Sequence, residues 1–128
     1  MMANFSEIFV AIAADPWQEV VDFYRGLLND EPLSYSQDRY AEFQIKGLKL
    51  GIFKPSPQHQ AEFARNAGAL SFCLEVDDLE EAIATVQALG GAINGEISTA
   101  SHGRECYAYD PAQSRLILHQ SNAIQANP

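Results

Sequence analysis

The chain repeats itself at half its length. An apolar run from Phe5 to Ala13 leads through Asp15 and Pro16 into Trp17 to Leu28, and the same succession returns as Ala69 to Val76, Asp77 and Asp78, then Leu79 to Leu89. Asp15 and Asp78 lie 63 positions apart in a chain of 128. A duplicated unit narrows the possible folds to those assembled from two copies of one supersecondary motif. Within each unit the first run reads as a strand and the second as a helix. Val20, Val21, Tyr24, Leu27 and Leu28 form one apolar stripe, as do Leu79, Ala82, Ile83, Val86 and Leu89. Asp15 is expected to cap the first helix with Pro16 at its first position, and Asp77 or Asp78 to cap the second. Gly90 and Gly91 end the second helix as a left-handed cap.

Three strand candidates follow each helix. In the first half they are Pro32 to Ser36, Tyr40 to Lys46 and Leu48 to Lys54; in the second, Ala92 to Ser98, Arg104 to Tyr109 and Arg115 to Gln120. The chain therefore reads as a single α+β domain of two βαβββ repeats, 5–54 and 69–120. A polar linker, 55–68, joins them, with a short helix expected over Gln58 to Asn66. The tail after Gln120 lacks periodicity and is expected to fray.

Hydrophobic residues make up 47% of the chain and charged residues 20%, the balance of an ordinary globular domain. No run is long enough to span a bilayer, and Met1 to Asn4 lacks the basic start of a secretory leader, so a cytoplasmic protein is expected. Seventeen acidic against 8 basic residues give a formal net charge of −9. That field repels phosphate backbones and anionic membranes, which argues against nucleic acid or membrane as partners and favours a cationic small molecule. Cys73 and Cys106 are too few for a disulfide scaffold or a clustered zinc site and read as buried free thiols.

The order of these elements, with DFYRGLL at Asp22 to Leu28, FCLEVDDLEEAIATVQALGG at Phe72 to Gly91 and YDPAQSRLILHQ at Tyr109 to Gln120, resembles the glyoxalase, bleomycin-resistance and dioxygenase superfamily. That superfamily shares the vicinal oxygen chelate fold. The resemblance implies curled mixed sheets around a cleft, with strand residues alternating between the cleft and a helix-packed core. Leu48, Leu50, Ile52, Phe43, Ile45, Phe72, Leu74 and Val76 are then core. Glu42, Gln44, Lys49, Gly51, Phe53, Ser71, Cys73, Glu75, Glu105, Tyr107, Tyr109, Arg115, Ile117 and His119 face the cleft.

Metal-using members of the family place one ligand on each of four strands. The matching positions here are Ile8 or Phe9, Gly51, Ser71 and Ile117, none of them a good donor for a divalent ion. The resemblance therefore points to a member that binds without a metal or other cofactor. Glu75, Glu105 and His119 offer a displaced three-donor site as the alternative, with His59 and His102 left in loops.

The expected ligand residues are Glu42, Lys49, Phe53, Cys73, Glu75, Glu105, Tyr107, Tyr109 and His119. Their aromatic faces and carboxylates suit a planar or cationic organic molecule. The open readings are a metal-free small-molecule binder, a metal-dependent lyase, isomerase or dioxygenase using a displaced site, and a partner-binding module with a vestigial cleft. The resemblance also implies a homodimer, with Trp17 and the first strand as candidate interface residues. Trp17 covering the start of the first helix is the alternative.

Overall fold

A computed structural model of the chain describes Asn4 and residues 6–64 and 68–122. The first half comprises β1 (Val10–Ala13), α1 (Trp17–Leu28), β2 (Ser34–Ser36), β3 (Tyr40–Ile45) and β4 (Leu48–Phe53). A 3-10 turn at Pro57–His59 and α2 (Gln60–Phe63) follow, in place of one longer helix to Asn66, which lies outside the described residues. The second half comprises β5 (Phe72–Glu75), α3 (Leu79–Ala88), β6 (Ala92–Ala100), β7 (Gly103–Tyr109) and β8 (Arg115–Ser121).

The two sheets have the same strand order, β1-β4-β3-β2 and β5-β8-β7-β6. In each, the first strand pairs parallel with the last and the remaining pairs are antiparallel. This is the α+β, two-repeat architecture expected from the sequence. The first strands are shorter than expected because pairing with β4 begins only at Val10 and pairing with β8 only at Phe72.

Capping differs between the halves. Asp78 accepts from the backbone N–H of Glu81 at 3.0 Å, a regular N-cap for α3. Asp15 does not cap α1: Pro16 takes the N-cap position, which leaves the Asp15 carboxylate one residue outside the capping place. Past α3, Gly90 takes a φ of 97° and closes the helix, as the glycine pair predicts.

The core faces the helices. Phe43, Leu50 and Ile52 of the first sheet and Leu116 and Leu118 of the second are buried, together with Val20, Val21, Phe23 and Tyr24 of α1 and Leu79 and Val86 of α3. Trp17 belongs to this core and not to an interface: it is 3% exposed, and its indole Nε1–H donates to the carbonyl of Ile52 at 2.9 Å. Its aromatic bulk is consumed by the chain's own packing. Leu48, expected in the core, is 41% exposed, since it begins β4 on the wall of an open groove beside the helices. Cys106 is buried and burial pushes its thiol pKa up, whereas Cys73 is exposed, contrary to the sequence expectation, because the outer face of β5 has no covering element.

The halves are joined through α1. Tyr24 stacks edge-on against Phe72 at 6.4 Å and donates from its phenol to Asp110 at 2.7 Å. Gly26 permits this closeness, since a Cβ there would sit 2.5 Å from Leu89. Beside the joint an apolar groove of about 850 Å³ opens between the helix-packed faces, lined by Leu27, Leu28, Ile45, Leu48, Leu74 and Ala82 among others.

Candidate functional site

Alternation along the strands sets which side chains reach the faces turned away from the helices. On the first sheet these are Tyr40 and Glu42 of β3, Lys49, Gly51 and Phe53 of β4, and Ala11 and Ala13 of β1, which register with Gly51 and Phe53. Of the two candidates for the family's first ligand position, Phe9 shares the parity of Ala11 and Ala13, and its ring lies on this face against Lys49.

The Lys49 ammonium dominates this face. It lies 2.6 Å from Glu7 and 3.8 Å from Glu42, and 5.3 Å from the centre of the Phe9 ring. The hydrogen bond that Lys49 donates to Glu7 holds the lysine pKa above its usual range, with the charges of Glu42 and Glu7 acting the same way against a desolvation penalty. Tyr40 donates to Glu42 at 2.8 Å, and desolvation, followed by that carboxylate, pushes its phenol up to about 12. Its ring covers Gly51 so closely that a Cβ there would meet the phenol oxygen at 2.6 Å. Phe53, expected as an open aromatic wall, is met edge-on by Phe63 of α2 at 5.1 Å. Gln44 is exposed at the edge of the face.

On the second sheet the corresponding face carries three cross-strand rows. Glu75, His119 and Glu105 form one, and Cys73, Ile117 and Tyr107 the next. The third pairs Arg115 with Tyr109. Arg115 donates to the hydroxyl of Ser71 at 3.0 Å. Hydrogen bonds from Asn94 and Arg115 lower the Tyr109 pKa. Tyr107 is 46% exposed, an open ring in the middle of the face.

Glu75 accepts from the backbone N–H and hydroxyl of Ser121 at 2.8 and 2.7 Å, and from His119 Nδ1 at 2.7 Å. These bonds, that of the Ser121 hydroxyl first, hold its carboxyl below the usual range. The other nitrogen of His119, Nε2, lies 2.9 Å from Nδ1 of His102. His102, expected to be idle in a loop, sits on the two-residue turn between β6 and β7, and the ligand atoms of His102, Glu105 and His119 lie within 4.8 Å of one another. The displaced donor set is thus His102, Glu105 and His119, with Glu75 behind His119 and not beside it.

The four positions matching the family's metal ligands do not fit an ion. Phe9 presents a ring, Gly51 is roofed by Tyr40, the hydroxyl of Ser71 is held by Arg115, and Ile117 is hydrocarbon. The hydrogen bonds, ion pairs and ring contacts named for the first face stay within the first half, and those for the second face within the second. Tyr40, Glu7 and His102 belong to these faces without having been expected there. Strand parity places Tyr40 beside Glu42, whereas the other two depend on how the chain turns at 7–9 and 101–102.

The sequence profile of the Glyoxalase/Bleomycin resistance protein/Dioxygenase superfamily matches residues 9–118. No curated protein matches the chain. Among solved structures, a glyoxalase-related enzyme from Fulvimarina pelagi superposes with a TM-score of 0.71 at 16% identity, over 94% of this chain and 89% of that one. A fosfomycin resistance protein from Listeria monocytogenes gives 0.68 at 19% identity, over 98% of each chain. A lactoylglutathione lyase from Agrobacterium tumefaciens gives 0.66 at 20%, over 91% and 95%. No helix among the described residues is long and apolar enough to cross a membrane.

Proposed function

Because the chain belongs to the glyoxalase/bleomycin resistance protein/dioxygenase superfamily, we propose that it binds a small planar organic molecule on the outer face of its second sheet, without an ion at the family's four ligand positions. The observation that carries this reading is the replacement of all four donors by Phe9, Gly51, Ser71 and Ile117 while the rows around them stay functionalised. Tyr107 supplies an open ring for stacking, beside Ile117 and with Cys73 on the strand beyond. Glu105 at one end accepts a cationic or hydrogen-donating group, and Arg115 with Tyr109 at the other receives an acceptor.

A second copy of the chain completes the enclosure. Ile8 is 80% exposed, and Phe9 and Val10 of the same segment are exposed as well, an apolar strip that a two-fold partner would cover. Light scattering on the purified protein tests this, and a monomer at micromolar concentration would count against it.

Thermal shift of the metal-stripped protein against planar aromatic amines tests the ligand reading. A ligand at about 100 times its dissociation constant adds about 2.7 kcal/mol, a shift of several degrees. That shift should vanish in Tyr107→Ala. Silence across such a library would favour a partner-binding module whose ligand face is vestigial.

A further inference from the structure

We propose that His102, Glu105 and His119 form a binding site for one zinc-like divalent transition metal ion, with Glu75 orienting His119 from behind. The site is distinct from the four family ligand positions but shares Glu105 with the ligand surface proposed for the same face, so ligand binding is measured on the metal-stripped protein and metal binding without ligand.

Tautomer and geometry support it together. Glu75 is a carboxylate held by three hydrogen bonds and can only accept, so Nδ1 of His119 carries the proton. In the neutral ring Nε2 of His119 is then a lone pair that accepts from Nδ1 of His102, 2.9 Å away, and when an ion takes both nitrogens the His102 proton moves to that ring's other nitrogen. A carboxylate on one imidazole nitrogen and a cation on the other is the usual outer-shell arrangement of histidine ligands. Two ligand nitrogens on a tetrahedral zinc stand about 3.3 Å apart, so the pair must open by only a few tenths of an ångström. His102 can yield that distance because it sits exposed on a turn, while His119 is fixed in β8.

The third donor is poised. Glu105 is in register with His119 on the neighbouring strand, and no hydrogen bond or ion pair engages its carboxylate among the described residues. Gly103 keeps the space clear: a Cβ there would lie 3.1 Å from Nε2 of His119 and closer still to the Gln120 carbonyl. A side chain also anchors the start of the turn, since the Asn122 amide donates to the Ser101 carbonyl. Two imidazoles and one carboxylate favour zinc and its neighbours over magnesium, which demands oxygen ligands. Three protein donors leave a coordination position open.

Isothermal titration calorimetry of the metal-stripped full chain with Zn²⁺ tests the proposal. One ion per chain is expected, with Mg²⁺ giving no heat. His102→Ala and His119→Ala should abolish stoichiometric binding, Glu75→Gln should weaken it about 10–100-fold, and His59→Ala should leave it unchanged. No binding, equal binding of Mg²⁺, or full affinity in His102→Ala would overturn the site. Should His119→Ala fail to fold, the wild type decides by NMR. Zn²⁺ must then shift the imidazole resonances of His102 and His119 and spare those of His59, and equal shifts in all three would sink the proposal. Ligand binding by the metal-stripped protein is read in a separate assay, so either result can fail alone.

Discussion

The phenol of Tyr24 on α1 donates to the carboxylate of Asp110, 86 positions further on, at 2.7 Å, and so joins the two repeats by a buried hydrogen bond. Asp110 is 1% exposed, and its other oxygen accepts from the backbone N–H groups of Ala112 and Ser114 at 2.8 and 3.0 Å. The turn after β7 and the helix of the other half are thereby fixed by one side chain.

Tyr24→Phe keeps the ring and removes the donor, leaving one buried carboxylate oxygen unpaired. A loss of about 1.5–3 kcal/mol is expected. In urea unfolding the midpoint should fall with little change in slope. A variant as stable as the wild type would mean that the joint carries no energy.

The same pair sets an alkaline limit. Burial, reinforced by Asp110, raises the Tyr24 pKa well above its ordinary value of 10.0. The folded state therefore binds this proton more tightly than the unfolded state does. Its contribution is complete below pH 10 and is lost as pH rises further. The stability difference between wild type and Tyr24→Phe should shrink above pH 10, measured by urea titrations at pH 8 and pH 11. A difference that grows instead would reverse the assignment.

Glu80 sets an acid limit. Its carboxylate takes a two-pronged bond from Arg104 at 2.6 and 2.9 Å, which lowers its pKa from 4.5 to about 2. A lowered folded-state value stabilises above pH 4.5 and ceases to do so as pH falls towards 2. Melting temperatures of wild type and Glu80→Gln should differ at pH 7 and converge at pH 2.5. The effect is small because the pair is exposed to solvent.

Much of this was legible in the sequence. The 63-residue repeat fixed the order of elements, and period-two alternation assigned Lys49 and Glu75, and the family resemblance Glu105 and His119, to the faces they occupy, because a paired strand leaves no freedom in parity. What escaped depends on contacts distant in sequence. Trp17 is placed by the Ile52 carbonyl and Phe53 is covered by Phe63. His102 meets His119 only because β6 and β7 extend to a two-residue turn. No local pattern reports these meetings.

Gly51 and Tyr40 supply a further test. Gly51→Ala forces the Tyr40 ring from its place and breaks its bond to Glu42, for a cost of about 1–3 kcal/mol. Adding Tyr40→Ala removes the obstruction, so the double variant should be more stable than the sum of the two single losses predicts. Strict additivity in chemical denaturation would show that ring and glycine do not compete for one space.

The ammonium of Lys49 has a consequence of its own. A positive charge carried on a covalent arm is present in every molecule at full occupancy, in whatever supply of trace elements the cell provides. Half the negative charge of the Glu7 and Glu42 pair is thereby balanced from within. The first sheet's outer surface keeps its polarity unchanged through dilution, starvation or sequestering agents that would empty a coordinated ion.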